Sequence, residues 1–486
     1  MGDTKPKLRF PKGYEVDPIK LVAGRYGTLE MVEIWGDEKT FEYSLRVQGQ
    51  AALTLSRLHP DIIPPELAEE INEKASLEHI EPDRIRYLEA EKRHDVIAIN
   101  TALEEVVSRE AGAHVNKAKT SADTTQPAKA LQLKASLEVI ADTAENLRDI
   151  VIEKAIEWMD VPHMDTSHWY DALPTVAGRP FAHYAEMLQS GLDLLGYVYH
   201  NSIMGKWADA TGNHHSATVL GIDGIELQEE YCKELGIGFM DAPAQVPGVE
   251  FEADVTYVLS RLYETVNNIS TYIRWGRSSD VFIFVNGKHK KAKGSSAMPH
   301  KDIYNGNPIV EEQNNSVRNY MLGNLVTAMA NCEISYARDL SASANSRINN
   351  EGGFKFMDHA LRRLSDTVYW LDLREDRCRE RVNRSYGTVT SQAVMTYLTD
   401  SRKVSNPLTR SEAHDLMGRL ATYAFNNEIL LEQVCKEDDE FKDVMDKCGA
   451  NPNEIYELMN PEMYIGESKR IIEKVRDKCY QKKTLT

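Results

Sequence analysis

Apolar residues recur along residues 126–158 at alternating steps of three and four: Leu133, Leu137, Ile140, Ala144, Leu147, Val151, Ala155 and Trp158. That spacing puts one stripe along one face of a helix, and some thirty residues at 1.5 Å each make it roughly 45 Å long. Amphipathic stretches of the same kind recur at residues 181–207, 254–277 and 314–334, bounded by Gly, Pro or Asn-rich turns. Strand signals are sparse, the best being "SDVFIFVNG" at 279–287, which equally fits a buried helix end or a loop. The expected fold is all-α, with three regions: a small helical domain over 1–112, a long-helix bundle over 113–372 and a C-terminal helical domain over 373–486. Helices this long with narrow stripes bury them against partner chains or within an intramolecular bundle, and a homo-oligomer sharing one central bundle is expected.

Composition narrows the class. The chain has 486 residues, 42% hydrophobic and 27% charged, ordinary values for a soluble globular protein. A net charge of −18 argues against general nucleic-acid binding but leaves room for a small anionic ligand in a locally basic pocket. Six widely separated cysteines with no CxxC pair suggest neither a disulfide framework nor a zinc site, so no metal is expected and a reducing, cytoplasmic location is the simplest reading. No segment reads as a signal peptide or membrane span. Gly2 alone is a weak myristoylation cue, because the sixth residue is not Ser or Thr.

Four polar clusters interrupt the helical pattern, each near a helix end, where unpaired backbone N–H groups can bind anions. They are "EAEKRHDVIAIN" with His94; "AGAHVNKAKTSADTTQPAKA" with Thr120 and Ser121; "DTSHWYDALPTVAGRPF" with His168; and "KHKKAKGSSAMPHKDIYNGNPIVEEQ" at 288–313. Each has a plain alternative: helix caps for the first two, a structural histidine for the third, a solvated basic loop for the fourth. If they met in space, one histidine could donate a proton and another bind an anion. A lysine and loop N–H groups would then stabilise enolate-like charge, the equipment for a β-elimination. A seryl oxygen serves as base there only if its anion is stabilised.

The run Gly294-Ser295-Ser296-Ala297-Met298-Pro299-His300-Lys301, followed by Asn307-Pro308-Ile309, resembles the signature loop of the fumarase/aspartase superfamily, most closely its adenylosuccinate lyase branch. "GRYGTLEMVEIW", "EKRHDVIA", "TSADTTQPAKALQLK", "ADATGNHHSATV", "PAQV" and "ARDLSASANSRI" resemble further segments of that branch, in chain order from Arg25 to Ile348. The resemblance implies a homotetrameric C–N lyase of purine biosynthesis, using no cofactor, that releases fumarate from adenylosuccinate to give AMP, and also from the carboxamide ribotide intermediate SAICAR to give AICAR. It implies Ser295 as the base, Lys301 as stabiliser of the aci-carboxylate, His168 as general acid oriented by Glu312, and His94 as an assistant on the phosphate or amine side. Thr120, Ser121 and Gln245 would hold the succinyl part, with Ser296, Met298 and Asn307 as further contacts, and Arg25, Tyr26, Arg338, Ser343 and Arg347 would surround the phosphate.

Two departures touch that pattern. "DIYNG" stands between Lys301 and Asn307, four residues longer than the family's spacing, and the family's Thr-His-x-Gln-Pro-Ala reads Ser167-His168-Trp169-Tyr170-Asp171-Ala172 here. They leave two other readings: a related lyase or cycloisomerase acting on another succinyl adduct or a carboxymuconate, and a non-catalytic oligomeric scaffold.

Overall fold

The computed structural model describes residues 26–247, 249–288, 293–333, 340–481 and 484–485. It is helical almost throughout, and three two-stranded pairings are the only sheets among the described residues. We number the five bundle helices α1 (Ala122–Glu157), α2 (Arg179–Asn201), α3 (Glu250–Gly276), α4 (Ile309–Asn331) and α5 (Ser343–Tyr369), and name the others by range. α1 packs on α2 and α5, and α3 packs on α2, α4 and α5. The expected stripe of α1 is buried throughout, from Leu133 to Trp158.

The helix starts differ from the expected ones by a few residues for identifiable reasons. α1 begins at Ala122, before Pro127, because the Asp123 carboxylate accepts the Thr120 amide and closes the first turn. α4 begins at Ile309 rather than near 314, since Pro308 at its N-cap sets the entry. Its inward face is largely polar: Glu311, Asn314, Asn324 and Asn331 are buried, and Asn324 and Asn349 of α5 exchange amide-to-carbonyl hydrogen bonds at 3.2 and 3.0 Å. Met321 and Ala328 are buried with them, while other apolar side chains point out, Val326 70% and Met329 59% exposed, as is Ile348 of α5 at 69%.

Contacts at both ends fix which helix ends lie together. Lys129 near the start of α1 bridges Glu252 at the start of α3 and Ser346 at the start of α5, at 2.5 Å each. At the other end, Lys154 of α1 donates to the Leu371 carbonyl (3.0 Å), and Trp158 stacks on Phe284. Phe284–Asn286 forms a strand, as one reading of 279–287 allows, and pairs antiparallel with Leu371–Leu373. Arg277 at the end of α3 meets Glu311 at the start of α4.

One continuous hydrophobic core runs from Met31 to Cys378 and takes in Ile472, Val475 and Cys479 of the final helix, Ser468–Tyr480, which packs back on α1 and α2. A second core, from Val394 to Met459, is separate. No helix among the described residues is long and apolar enough to cross a membrane.

Candidate active site

The run 294–301 forms a loop closed at its ends, although residues 296–300 face solvent. Gly294 lies so close to Lys301 that a Cβ on it would stand 2.4 Å from the Lys301 carbonyl oxygen, which explains the glycine. Asp302 ties the loop's ends: it accepts from the Gly294 amide at 3.0 Å and from Lys293 at 2.7 Å, and those bonds hold its carboxyl below the usual range. Within the loop, Ser295 Oγ accepts two backbone N–H groups, from Ala297 at 3.2 Å and Met298 at 3.1 Å. Two converging amide donors stabilise negative charge on that oxygen, which is what a seryl base requires. Lys301 follows in a 3-10 turn, Pro299–Tyr304, and Ser296 and Met298 face solvent.

"DIYNG" is the anchor of this loop. Arg277 donates to the Tyr304 and Gly306 carbonyls at 3.1 and 2.7 Å, and Asn305 donates to the Asn286 carbonyl at 3.1 Å. Asn305 and Gly306 both have positive φ, 52° and 91°, a reversal that suits Asn and Gly. Asn307, exposed, follows the reversal, and Glu312 sits in the first turn of α4 with Arg274 3.9 Å away. The adjacent Glu311 is buried against Arg277, and burial raises its pKa despite the guanidinium.

His168 sits at the tip of a β-hairpin, Pro162–Ser167 with Tyr170–Val176, strands that the sequence did not announce. The two turn residues, His168 and Trp169, have φ of 55° and 68°, the left-handed pair of a tight hairpin turn. At the base of the hairpin's first strand, His163 is 1% exposed and pushed by burial to a pKa of about 3, so it is neutral.

His94 caps the helix Asp95–Glu104, accepting the Ile97 amide on Nδ1 at 3.4 Å. Its other nitrogen, Nε2, faces Ser121 Oγ at 3.4 Å, so His94 and Ser121 meet. Thr120 is fixed through Asp123, which is fully buried, paired with Lys206 at 2.5 Å, and accepts the Ala208 and Asp209 amides. That joins "TSAD" to "ADATGN". Just before Thr120, Lys119 runs inward to Gln48 Oε1 at 3.2 Å between the rings of Trp207 and Tyr231, and burial pushes its ammonium down to about 7. Gln245 is half-buried before α3; Ser343 is the first residue of α5, and Arg347 is exposed one turn on. Tyr26 lies edge-on to His359, at 5.6 Å between ring centres. Arg25 and Arg338, like Lys290 and Lys291 of the basic run, lie outside the described residues.

The candidates therefore fall at two ends of the bundle. His94, Thr120, Ser121, Ser343 and Arg347 gather where α1, α3 and α5 begin, while His168, the Ser295 loop and Glu312 gather where α1 and α3 end. The 36 residues of α1 separate those ends by about 54 Å. Within one chain the two groups do not meet. Lys119, Lys206, Arg277, Asp302 and Asp171 were not foreseen as parts of the site, although the two departures, "DIYNG" and the segment after His168, contain Asp302 and Asp171.

Residues 24–323 match the family model described as lyase, well over half of the chain. The chain belongs to this lyase family. A second model, adenylosuccinate lyase C-terminus, matches residues 387–475 of this lyase. Similar relatives include adenylosuccinate lyases from Methanocaldococcus jannaschii, 28% identical over 93% of this chain and 94% of theirs, and from Pyrococcus horikoshii, 27% identical over 93% and 96%. Among solved structures, a fumarate lyase from Mesorhizobium sp. BNC1 superposes with a TM-score of 0.78, at 19% identity, over 94% of this chain and 99% of its own. A 3-carboxy-cis,cis-muconate lactonizing enzyme from Pseudomonas putida gives 0.76 at 18% identity, over 94% and 98%. At those identities the structures bear on the fold of the lyase, which is the all-α bundle expected.

Proposed function

We propose that the chain cleaves adenylosuccinate to AMP and fumarate by β-elimination, and SAICAR to AICAR in the same way. The observation that carries the reading is Ser295 Oγ held under two amide donors in the Gly294–Lys301 loop, on a chain similar over nearly its whole length to adenylosuccinate lyases. Ser295, as its alkoxide, takes the proton from the succinyl carbon beside a carboxylate. Lys301 stabilises the resulting aci-carboxylate. The electron pair then collapses to the new C=C bond, the C–N bond breaks toward the purine nitrogen, and His168, oriented by Glu312, supplies that nitrogen's proton. Thr120, Ser121 and Gln245 hold the succinyl carboxylates with Ser296, Met298 and Asn307 as neighbours. Tyr26, Ser343 and Arg347, with Arg25 and Arg338, surround the phosphate, the first turn of α5 adding its amides, and His94 assists from Ser121.

Because α1 holds the two groups of residues about 54 Å apart, this chemistry needs the start of the bundle from one copy against its end from another. The outward apolar row Val326, Met329 and Ile348 supports that packing, and we propose a homotetramer in which residues 113–372 form the shared bundle, flanked by 1–112 and 373–486. Purified protein is mixed with adenylosuccinate and fumarate release followed, beside Ser295→Ala and His168→Ala. Turnover that both substitutions abolish is expected. An inactive parent chain removes the reading, and activity indifferent to both substitutions removes the residue roles.

A further inference from the structure

His168 is offered on a turn whose second residue disfavours its conformation. His168 and Trp169 are both left-handed where a tight hairpin turn ordinarily has Asn-Gly, and the bulky Trp169 is the unfavourable one, 74% exposed. The register also slips between Met164 and Thr166, so the strands alone do not fix the tip. Something outside the hairpin has to hold it.

That restraint is visible at Asp171, three residues past His168 and opposite Thr166. Arg381, on the helix Glu375–Asn383, donates to Asp171 Oδ1 through both Nε (3.0 Å) and Nη2, while Arg384 Nη2 stands 3.7 Å from Oδ2. The Arg381 guanidinium is itself fixed: its side chain is 11% exposed and lies 4.9 Å over the ring of Trp275. Trp275 stacks on Tyr272 and also approaches Trp169, at 6.5 Å between ring centres. A planar guanidinium giving two donors to one carboxylate and resting on an aromatic face sets an orientation as well as a distance. Asp171 stands where the family pattern has proline, so the departure that weakened the resemblance brings in a charged tether.

We propose that Asp171, clamped by Arg381, is the positioning residue for His168, setting the hairpin tip for proton delivery. This rests on the reading of His168 as the general acid. The test uses Asp171→Ala, Arg381→Ala, Arg381→Lys and the double alanine variant in the full chain. Both kcat and KM for adenylosuccinate are measured, with amide hydrogen exchange over residues 164–173. Each single alanine change is expected to lower kcat by about tenfold, since a small misplacement of a reacting group is costly, and to leave KM within about twofold. The double variant should be no slower than either single one, because both remove one contact. Arg381→Lys should recover part of the loss, and exchange at the hairpin should quicken while α1 stays protected. Multiplicative losses in the double variant, unchanged kcat in Asp171→Ala, or unchanged hairpin exchange each overturn the proposal. An alanine variant that fails to fold leaves Arg381→Lys to decide, by kcat and exchange together. If the parent has no adenylosuccinate turnover, the functional reading fails, and the exchange measurement still decides whether the clamp holds the tip.

Discussion

Replacing Gly294 by alanine perturbs the loop at its tightest point. The added Cβ would meet the Lys301 carbonyl oxygen at 2.4 Å and its carbonyl carbon at 2.7 Å, whereas ordinary contact begins at 3.4 Å. Both obstacles are backbone, so no side chain can swing away, and the two strands of the loop have to part by about 1 Å. The loop is mostly exposed and contributes little to the core, so global stability should fall by no more than about 1 kcal/mol. Catalysis is far less tolerant. Ser295 is the next residue and Lys301 is the clashing one, so the proposed base and the proposed stabiliser of the aci-carboxylate move apart, a displacement that should cost on the order of a hundredfold in kcat. The assay is fumarate release at saturating adenylosuccinate, with thermal unfolding run in parallel and Ser295→Ala as the floor. A Gly294→Ala protein that retains kcat within about threefold would refute the closed-loop reasoning; so would a loss of activity matched by an equal loss of cooperative folding.

Further outcomes follow from other contacts. Mixing Ser295→Ala with His94→Ala, each inactive alone, should restore turnover after subunit exchange because the residues lie at opposite ends of α1; a mixture as dead as its components contradicts the split site. Lys119 has a folded pKa of about 7, below its unfolded value, so between pH 7 and about 10 the unfolded chain binds the extra proton and stability rises with pH, at most by about 1.4 kcal/mol per unit. Denaturant melts of Lys119→Met should show that rise flattened. His359, at about 4 and buried, acts at the acid side: stability falls as pH drops from 6 toward 4, and His359→Gln should lose about one proton of that dependence in the same melts. Lys129→Met leaves Glu252 buried without its cation and should cost about 3 kcal/mol by denaturant unfolding, a change under about 1 kcal/mol refuting the buried network.

The bundle was legible because long helices write their period over many turns, as the stripe from Leu133 to Trp158 shows. The loop at 294–301 was legible because its small residues break that period so sharply. The hairpin under His168 was not. Its first strand, "PHMDTS", lacks alternation, and its turn is His-Trp where a tight reversal ordinarily displays Asn-Gly. Asp171 with Arg381, Lys119 with Gln48, and Asp302 with Gly294 are pairings whose meaning depends on the three-dimensional partner, and only the last is local enough to be suspected from spacing. The stretch 314–334 was legible as an amphipathic helix, but not that its buried face carries Asn314, Asn324 and Asn331, with Asn324 and Asn349 each donating to the other's backbone carbonyl in a way periodicity does not register.

The length of α1 has a genetic consequence. With the Ser121 and Ser295 groups at opposite ends of one rod, each copy in the proposed tetramer would contribute different parts to different centres, so a damaged chain would be diluted across several sites. Where two alleles are expressed together, two differently impaired versions should compensate for each other in mixed assemblies, whereas a version defective at both ends should be masked by neither.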